Sequence, residues 1–121
     1  MLKNALYKIE TIDHANAEVH AMVDLDVADT IFEGHFPGQP VLPGACMVQM
    51  IKEILEQALN KSLRLTRADN LKFLVQVDPR NNNWLQANIK YNTDETSLKV
   101  NAELSTPAAV CFKLQGMFVF R

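Results

Sequence analysis

Residues 34–44 read Gly-His-Phe-Pro-Gly-Gln-Pro-Val-Leu-Pro-Gly, which places three of the four glycines and three of the five prolines in one short stretch. Proline has no N–H to donate, and glycine takes backbone angles that other residues avoid, so neither a strand nor a helix continues through such a run. The stretch must be a shaped loop, and it presents His35 at a fixed place. Directly after it, Met47, Val48, Ile51, Ile54, Leu55, Ala58 and Leu59 recur at helical spacing. Pro43 and Gly44 sit where that helix starts, and Asn60 is a suitable terminator. A loop that delivers a histidine towards a helix N-terminus, where unpaired N–H groups favour negative charge, is a candidate reaction centre.

The remaining residues predict a sheet around this helix. Residues 17–25 alternate cleanly, with Ala17, Val19, Ala21, Val23 and Leu25 pointing one way and Glu18, His20, Met22 and Asp24 the other, as in a half-buried strand. Residues 2–12 read as a first strand or strand edge, followed by a turn over 13–16. Residues 26–32 read as a short helical turn. After the helix, 62–69 is expected to be a polar connection, followed by strands over 70–77, 84–92, 97–104 and 108–120 in a four-stranded meander. The turns between them carry Asp78-Pro79, Asn92-Thr93-Asp94 and Ser105-Thr106-Pro107. One helix beside an antiparallel sheet is an α+β architecture with the helix as hub. At 121 residues the chain is expected to form a single domain over 1–121.

Composition excludes some functions. A net charge of −2, with no basic run carrying interleaved aromatics, argues against nucleic-acid binding. No apolar run is long enough to cross a membrane, and residues 1–6 lack the apolar core of a signal peptide, so a cytoplasmic protein is expected. Cys46 and Cys111 match no metal-ligand spacing and read as buried thiols.

The loop as it stands, Gly34-His35-Phe36-Pro37-Gly38-x-Pro40-Val41-Leu42-Pro43-Gly44, resembles the signature of the 3-hydroxyacyl-acyl-carrier-protein dehydratases of fatty acid synthesis. That resemblance implies a hot-dog fold, a curved antiparallel sheet wrapped around one long helix. It also implies dehydration of a 3-hydroxyacyl thioester, carried on acyl carrier protein or CoA, by a homodimer or higher homo-oligomer. No cofactor beyond the carrier's own phosphopantetheine arm, no metal, no nucleic acid and no membrane are expected. By resemblance His35 is the base that removes the α-proton. The backbone N–H of Gly44 receives the thioester carbonyl, and Ala45, Phe36 and Pro43 complete the substrate-binding set. In the family the histidine and the acid of one site come from different subunits.

The acid is where the chain departs from the pattern. The family places Glu or Asp fourteen residues after the histidine, and here that position is Gln49. Glu53 follows one turn later, on the same helix face as Gln49, with Cys46 and Met50 beside it and opposite the apolar stripe. A glutamine amide donates and accepts hydrogen bonds but cannot supply a proton as a carboxylic acid does. Three readings therefore stand: a dehydratase in which Glu53, or a water oriented by Gln49, completes the acid function; an acyl thioesterase of the same fold; or a degenerate homologue that binds acyl chains or pairs with a catalytic subunit. Lys61, Arg64, Arg67, Lys72 and Arg80 are candidates for docking an acidic carrier protein, and a solvated edge accounts for them equally well.

Overall fold

The computed structural model describes residues 2–34 and 38–121. Six strands form one antiparallel sheet: β1 (Tyr7–Ala15), β2 (Glu18–Leu25), β3 (Leu63–Phe73), β4 (Trp84–Thr93), β5 (Ser97–Ser105) and β6 (Val110–Phe120). A short helix α1 (Ile31–Gly34) precedes the loop, and the long helix α2 (Gly44–Leu59) follows it. Strand order is β1-β2-β4-β5-β6-β3. The α+β expectation holds: one six-stranded antiparallel sheet packs on a single long helix, the hot-dog arrangement.

Local chemistry sets the ends of the elements. Asn16 and Ala17, with φ of 55° and 60°, make the two-residue turn that joins β1 to β2. Both central residues lie in the left-handed region, which suits the twist of a hairpin. The turn is therefore tighter than expected: Asp13, His14 and Ala15 belong to β1, and Ala17, expected as the first strand residue, is in the turn. Residues 2–6 precede β1 rather than forming part of it, held by Asn4 at φ 68° and a bond from Leu6 N to Leu2 O. Helix α2 ends at Asn60, whose left-handed φ of 53° lets its N–H reach back to Glu56 O.

The connection after α2 is shorter than the sequence suggests. Residues 62–69, expected as a polar link, lie mostly within β3, while 74–77 lie outside it. β3 is an edge strand, exposed along most of its length, with Leu63 its one buried residue. A strand held mainly by backbone bonds to β6 shows no side-chain alternation, so its sequence looks like a loop. Nor is it next to β4. The meander comprises β4, β5 and β6, while β3 closes the far edge on β6, and residues 74–83 cross back beside the Gly/Pro loop.

The core lies between the sheet's inner face and α2. Val19, Val23, Leu85, Ile89, Leu104 and Phe112 meet Met50, Ile51, Ile54 and Leu55, all essentially without solvent contact. Each such side chain contributes about 1.5–3 kcal/mol on burial. The helix is enclosed more fully than an amphipathic reading implies: Cys46, Met50 and Glu53, placed opposite the apolar stripe, are buried as well.

Candidate active site at the start of helix α2

Pro43 caps α2 with φ −65° and ψ 146°, and no side chain bonds to the first turn. Cys46 N and Met47 N donate to Pro43 O, whereas among the described residues the N–H groups of Gly44 and Ala45 have no acceptor. Two unpaired donors at the positive end of a 16-residue helix suit an oxygen that gains negative charge. Beside them opens an apolar cavity of about 440 Å³, lined by Val41, Leu42, Pro43, Gly44, Met47 and the 73–76 stretch. The Gly/Pro loop is fastened to the β3–β4 connection at two points: Leu42 N donates to Val77 O, and Arg80 Nη1 donates to Gly38 O.

Gly44 has a packing reason to be glycine. The ring of Phe73 lies against it, and a Cβ there would sit 2.6 Å from a ring carbon. Phe73 is 55% exposed and stacks on buried Phe112, ring centroids 5.2 Å apart. An aromatic ring thus roofs the first residue of α2, a contact between residues far apart in the chain that no local sequence signal carries.

Glu53 is 1% exposed. Oε1 accepts from Lys3 N and from the Tyr7 hydroxyl, each at 2.8 Å. Oε2 accepts from Leu2 N at 3.0 Å and from Gln49 Nε2 at 2.8 Å. Burial on its own raises the pKa of this carboxyl, but the bonds from Leu2, Gln49, Tyr7 and Lys3 outweigh it and hold the group below the usual glutamate range. Burial and the same contact push the Tyr7 phenol far above its ordinary value, so Tyr7 stays a donor. Glu53 therefore ties residues 2–7 to α2, and Lys3 Nζ adds a bond to Gln57 one turn further on. Sequence reasoning did not include Tyr7 or the N-terminal segment in this cluster.

The expected site residues do not all come together. His35 and Phe36 lie outside the described residues. Pro43 and Gly44 line the apolar cavity. Ala45 is exposed, and Gln49, half-buried, lies one turn on along the same strip of α2. At about 100° per residue, Gly44 and Gln49 point roughly 140° apart around the helix axis. One chain therefore does not bring the Gly44 cavity and the Gln49 amide onto a single face.

Other chemistry-bearing residues are buried or engaged with neighbours. Cys46 is buried with its thiol raised by burial and by Asp29, and burial pushes Cys111 up to about 11, so neither is an activated nucleophile. His14 bonds the Tyr91 hydroxyl and His20 bonds Asn88, both on outer strand faces. Of the five basic docking candidates, Arg67 pairs with Asp69 and Arg80 with Asp78. No helix among the described residues is long and apolar enough to cross a membrane.

Known proteins share this pattern. The family model described as ApeI-like, ApeI dehydratase, matches residues 11–111. A 3-hydroxyacyl-[acyl-carrier-protein] dehydratase FabZ from a Wolbachia of Drosophila simulans is 32% identical over 82 residues, which is 60% of this chain and 55% of that one. The chain spans about half the length of the curated relatives it matches. Among solved structures, the dehydratase heterocomplex ApeI:P from Xenorhabdus doucetiae superposes with a TM-score of 0.74 at 20% identity, covering 92% of this chain and 96% of that one. A mutant thioesterase from Pseudomonas aeruginosa reaches 0.67 at 13% identity, covering 94% and 80%. At such identities the structural likenesses establish the fold alone. The family match spans most of the chain, and with it the loop signature and the helix that the loop opens: the chain belongs to the ApeI-like dehydratase family.

Proposed function

We propose that this domain removes water from 3-hydroxyacyl thioesters, giving trans-2-enoyl thioesters, in fatty acid or related acyl-chain biosynthesis. The observation that carries the reading is the start of α2: the N–H groups of Gly44 and Ala45, without an acceptor among the described residues, beside an apolar cavity. The thioester oxygen accepts from these donors, which stabilises the enolate-like charge as the α-proton leaves. His35 takes that proton. The Cβ–O bond then breaks, and the hydroxyl departs as water once it receives a proton. The cavity holds the acyl chain, and the thioester leads out to the pantetheine arm of acyl carrier protein or CoA.

The proton for the leaving hydroxyl is the unusual step. Glu53 is already saturated by four donors and is held ionised, which favours an anchoring role over proton delivery. Gln49 is neutral, so in a homo-oligomer the donor is a water that it orients. Water is a far weaker acid than a carboxyl group, and losing a positioned acid costs on the order of 10²–10⁴ in rate. Because Gly44 and Gln49 diverge around α2, the reading also requires a second subunit, with Gln49 of one chain facing the Gly44 cavity of another. The exposed apolar residues at the β3 end, Leu71, Phe73, Leu74 and Val75, are suited to such a contact.

A second reading follows from Gln49 itself. A homologous subunit with a carboxylic acid at the equivalent place would complete the site, and a similar chain belongs to a dehydratase heterocomplex. The decisive experiment follows enoyl absorbance from a 3-hydroxyacyl thioester, with thiol release monitored in parallel. Enoyl formation that His35→Ala abolishes supports dehydration. Thiol release without enoyl product makes the protein a thioesterase. Binding without either product identifies the acyl-binding partner subunit.

A further inference from the structure

The Gln49–Glu53 contact has a direction. A carboxylate saturated with donors is an acceptor only, so the amide next to it must present its NH₂ end. Gln49 Nε2 donates to Glu53 Oε2 at 2.8 Å, which leaves the side-chain carbonyl Oε1 on the other side. Among the described residues no donor reaches Oε1. Gln49 is half-buried on the exposed strip of α2, whereas Glu53 behind it is enclosed and held from three other directions by Leu2, Lys3 and Tyr7. The amide is thus fixed by an anchor that cannot itself turn.

We propose that Glu53 is a positioning residue that locks the Gln49 amide with its carbonyl oxygen outward, so that Gln49 selects acyl chains carrying a hydroxyl donor at C3. This rests on the dehydratase reading and adds a specificity element to it. A carbonyl oxygen accepts from an alcohol O–H, and it has nothing to accept from a 3-keto group or a saturated C3. A free glutamine would not discriminate, because it can rotate to offer N–H instead. The fixed carboxylate removes that freedom, as second-layer partners do when they orient a polar ligand group. The apolar cavity at Gly44 gives no such preference, since its lining treats C3 substituents alike. Selection for the hydroxyl thus falls to Gln49, in whichever subunit faces the bound chain.

The test compares binding of 3-hydroxyhexanoyl-pantetheine and hexanoyl-pantetheine by calorimetry, in full-length protein with His35→Ala to prevent turnover. The hydroxylated chain is expected to bind about fivefold tighter, the worth of one net hydrogen bond. Gln49→Leu and Glu53→Gln should each bring that ratio close to one. Tyr7→Phe removes a different partner of Glu53; it should lower the unfolding midpoint and leave the ratio intact, which separates positioning from mere support of the fold. If Glu53→Gln does not fold, slow solvent exchange of one Gln49 side-chain amide proton in the otherwise unaltered protein carries the same point. Equal binding of the two chains, an unchanged ratio in Gln49→Leu, or rapid exchange of both amide protons overturns the proposal. Loss of the ratio in Tyr7→Phe overturns it too. If the unaltered enzyme forms enoyl product while the ratio is flat, the dehydratase reading survives alone. If neither thioester binds, both fall.

Discussion

The hydroxyl of Tyr7 donates to Oε1 of Glu53 at 2.8 Å, joining the first strand to the middle of the central helix across 46 residues of sequence. With the two backbone donors of Leu2 and Lys3, it makes Glu53 the fastening point of the whole N-terminal segment. Hydrogen bonds to a charged group in such surroundings are the strong ones, and leaving a buried charge short of partners is costly. Tyr7→Phe is therefore expected to destabilise the fold by roughly 2 kcal/mol. Urea unfolding of the two proteins, compared at neutral pH, measures it; a change within error would mean that the contact contributes nothing net.

The same cluster sets a dependence on acidity. The folded pKa of Glu53 is below the ordinary glutamate value of 4.5, so its contribution is fully present above that value and fades as the pH falls through the lower, folded one. Glu53→Gln lacks this titration. Its thermal midpoint should lie below that of the unaltered protein at about pH 6, and the gap should narrow towards about pH 3. A gap that stays constant across that range would show that Glu53 does not titrate differently in the folded and unfolded chains.

Gly116, on β6, faces the irregular part of β3, where the register shifts between Leu65 and Arg67 and again between Ala68 and Asn70. A Cβ at Gly116 would lie 2.5 Å from the carbonyl oxygen of Arg67, a backbone atom that cannot swing aside. Gly116→Ala is expected to cost about 1–3 kcal/mol, with β3 the first element to loosen. Denaturant midpoints, together with amide exchange along β3, distinguish this from a uniform loss of stability. Faster exchange elsewhere with β3 unchanged would contradict it.

How much of this was readable in advance depends on where each signal lies in the chain. The Gly/Pro loop and α2 announce themselves because their cues are local: Pro43, Gly44 and Asn60 mark both helix ends within a few residues of where they act. β2 is equally plain, since one of its faces is buried and the other is wet. β3 is hidden because an edge strand needs no alternation, and its pairing with β6 rather than β4 is written in contacts far apart in the chain, from Leu63 with Phe120 to Phe73 with Phe112. The candidate site divides in the same way. The residues around Gly44 follow from the loop, whereas Phe73 over Gly44 and Tyr7 on Glu53 are tertiary meetings without a sequence pattern. Glu53 itself was found by its place on the helix, but its enclosure follows from the N-terminal segment that covers it.

The end of β3 tests the need for a second subunit. Leu71 and Leu74 are 38% and 50% exposed beside Phe73 and Val75, and β3 has an open backbone edge along its length. If this edge meets another copy, replacing both leucines by lysine should shift the sedimentation profile towards the single chain, because charge on an open strand edge opposes pairing. The fold should survive, as neither side chain belongs to the core. Turnover should fall with the association, since Gly44 and Gln49 of one chain do not face each other. An unaltered sedimentation profile would place any subunit contact elsewhere.

Phe73 and Gly44 give a prediction with an internal control. Gly44→Ala puts a methyl group where the Phe73 ring lies, but that ring is half-exposed and can swing on its Cβ, so the substitution should displace the ring rather than unfold the domain. The displaced ring then narrows the apolar cavity beside the first N–H groups of α2. The expected result is a weaker affinity for acyl thioesters with a change in unfolding midpoint of only a few degrees. Phe73→Ala removes the obstruction, so the double variant Gly44→Ala with Phe73→Ala should bind better than Gly44→Ala alone. Titration of all four proteins with one acyl-pantetheine, arranged as a double-mutant cycle, reads the coupling between the two residues directly. Additive losses would mean that the ring does not govern access to the start of α2. A recovery in the double variant would mean that the methyl group acts through Phe73 and leaves the N–H groups of Gly44 and Ala45 usable.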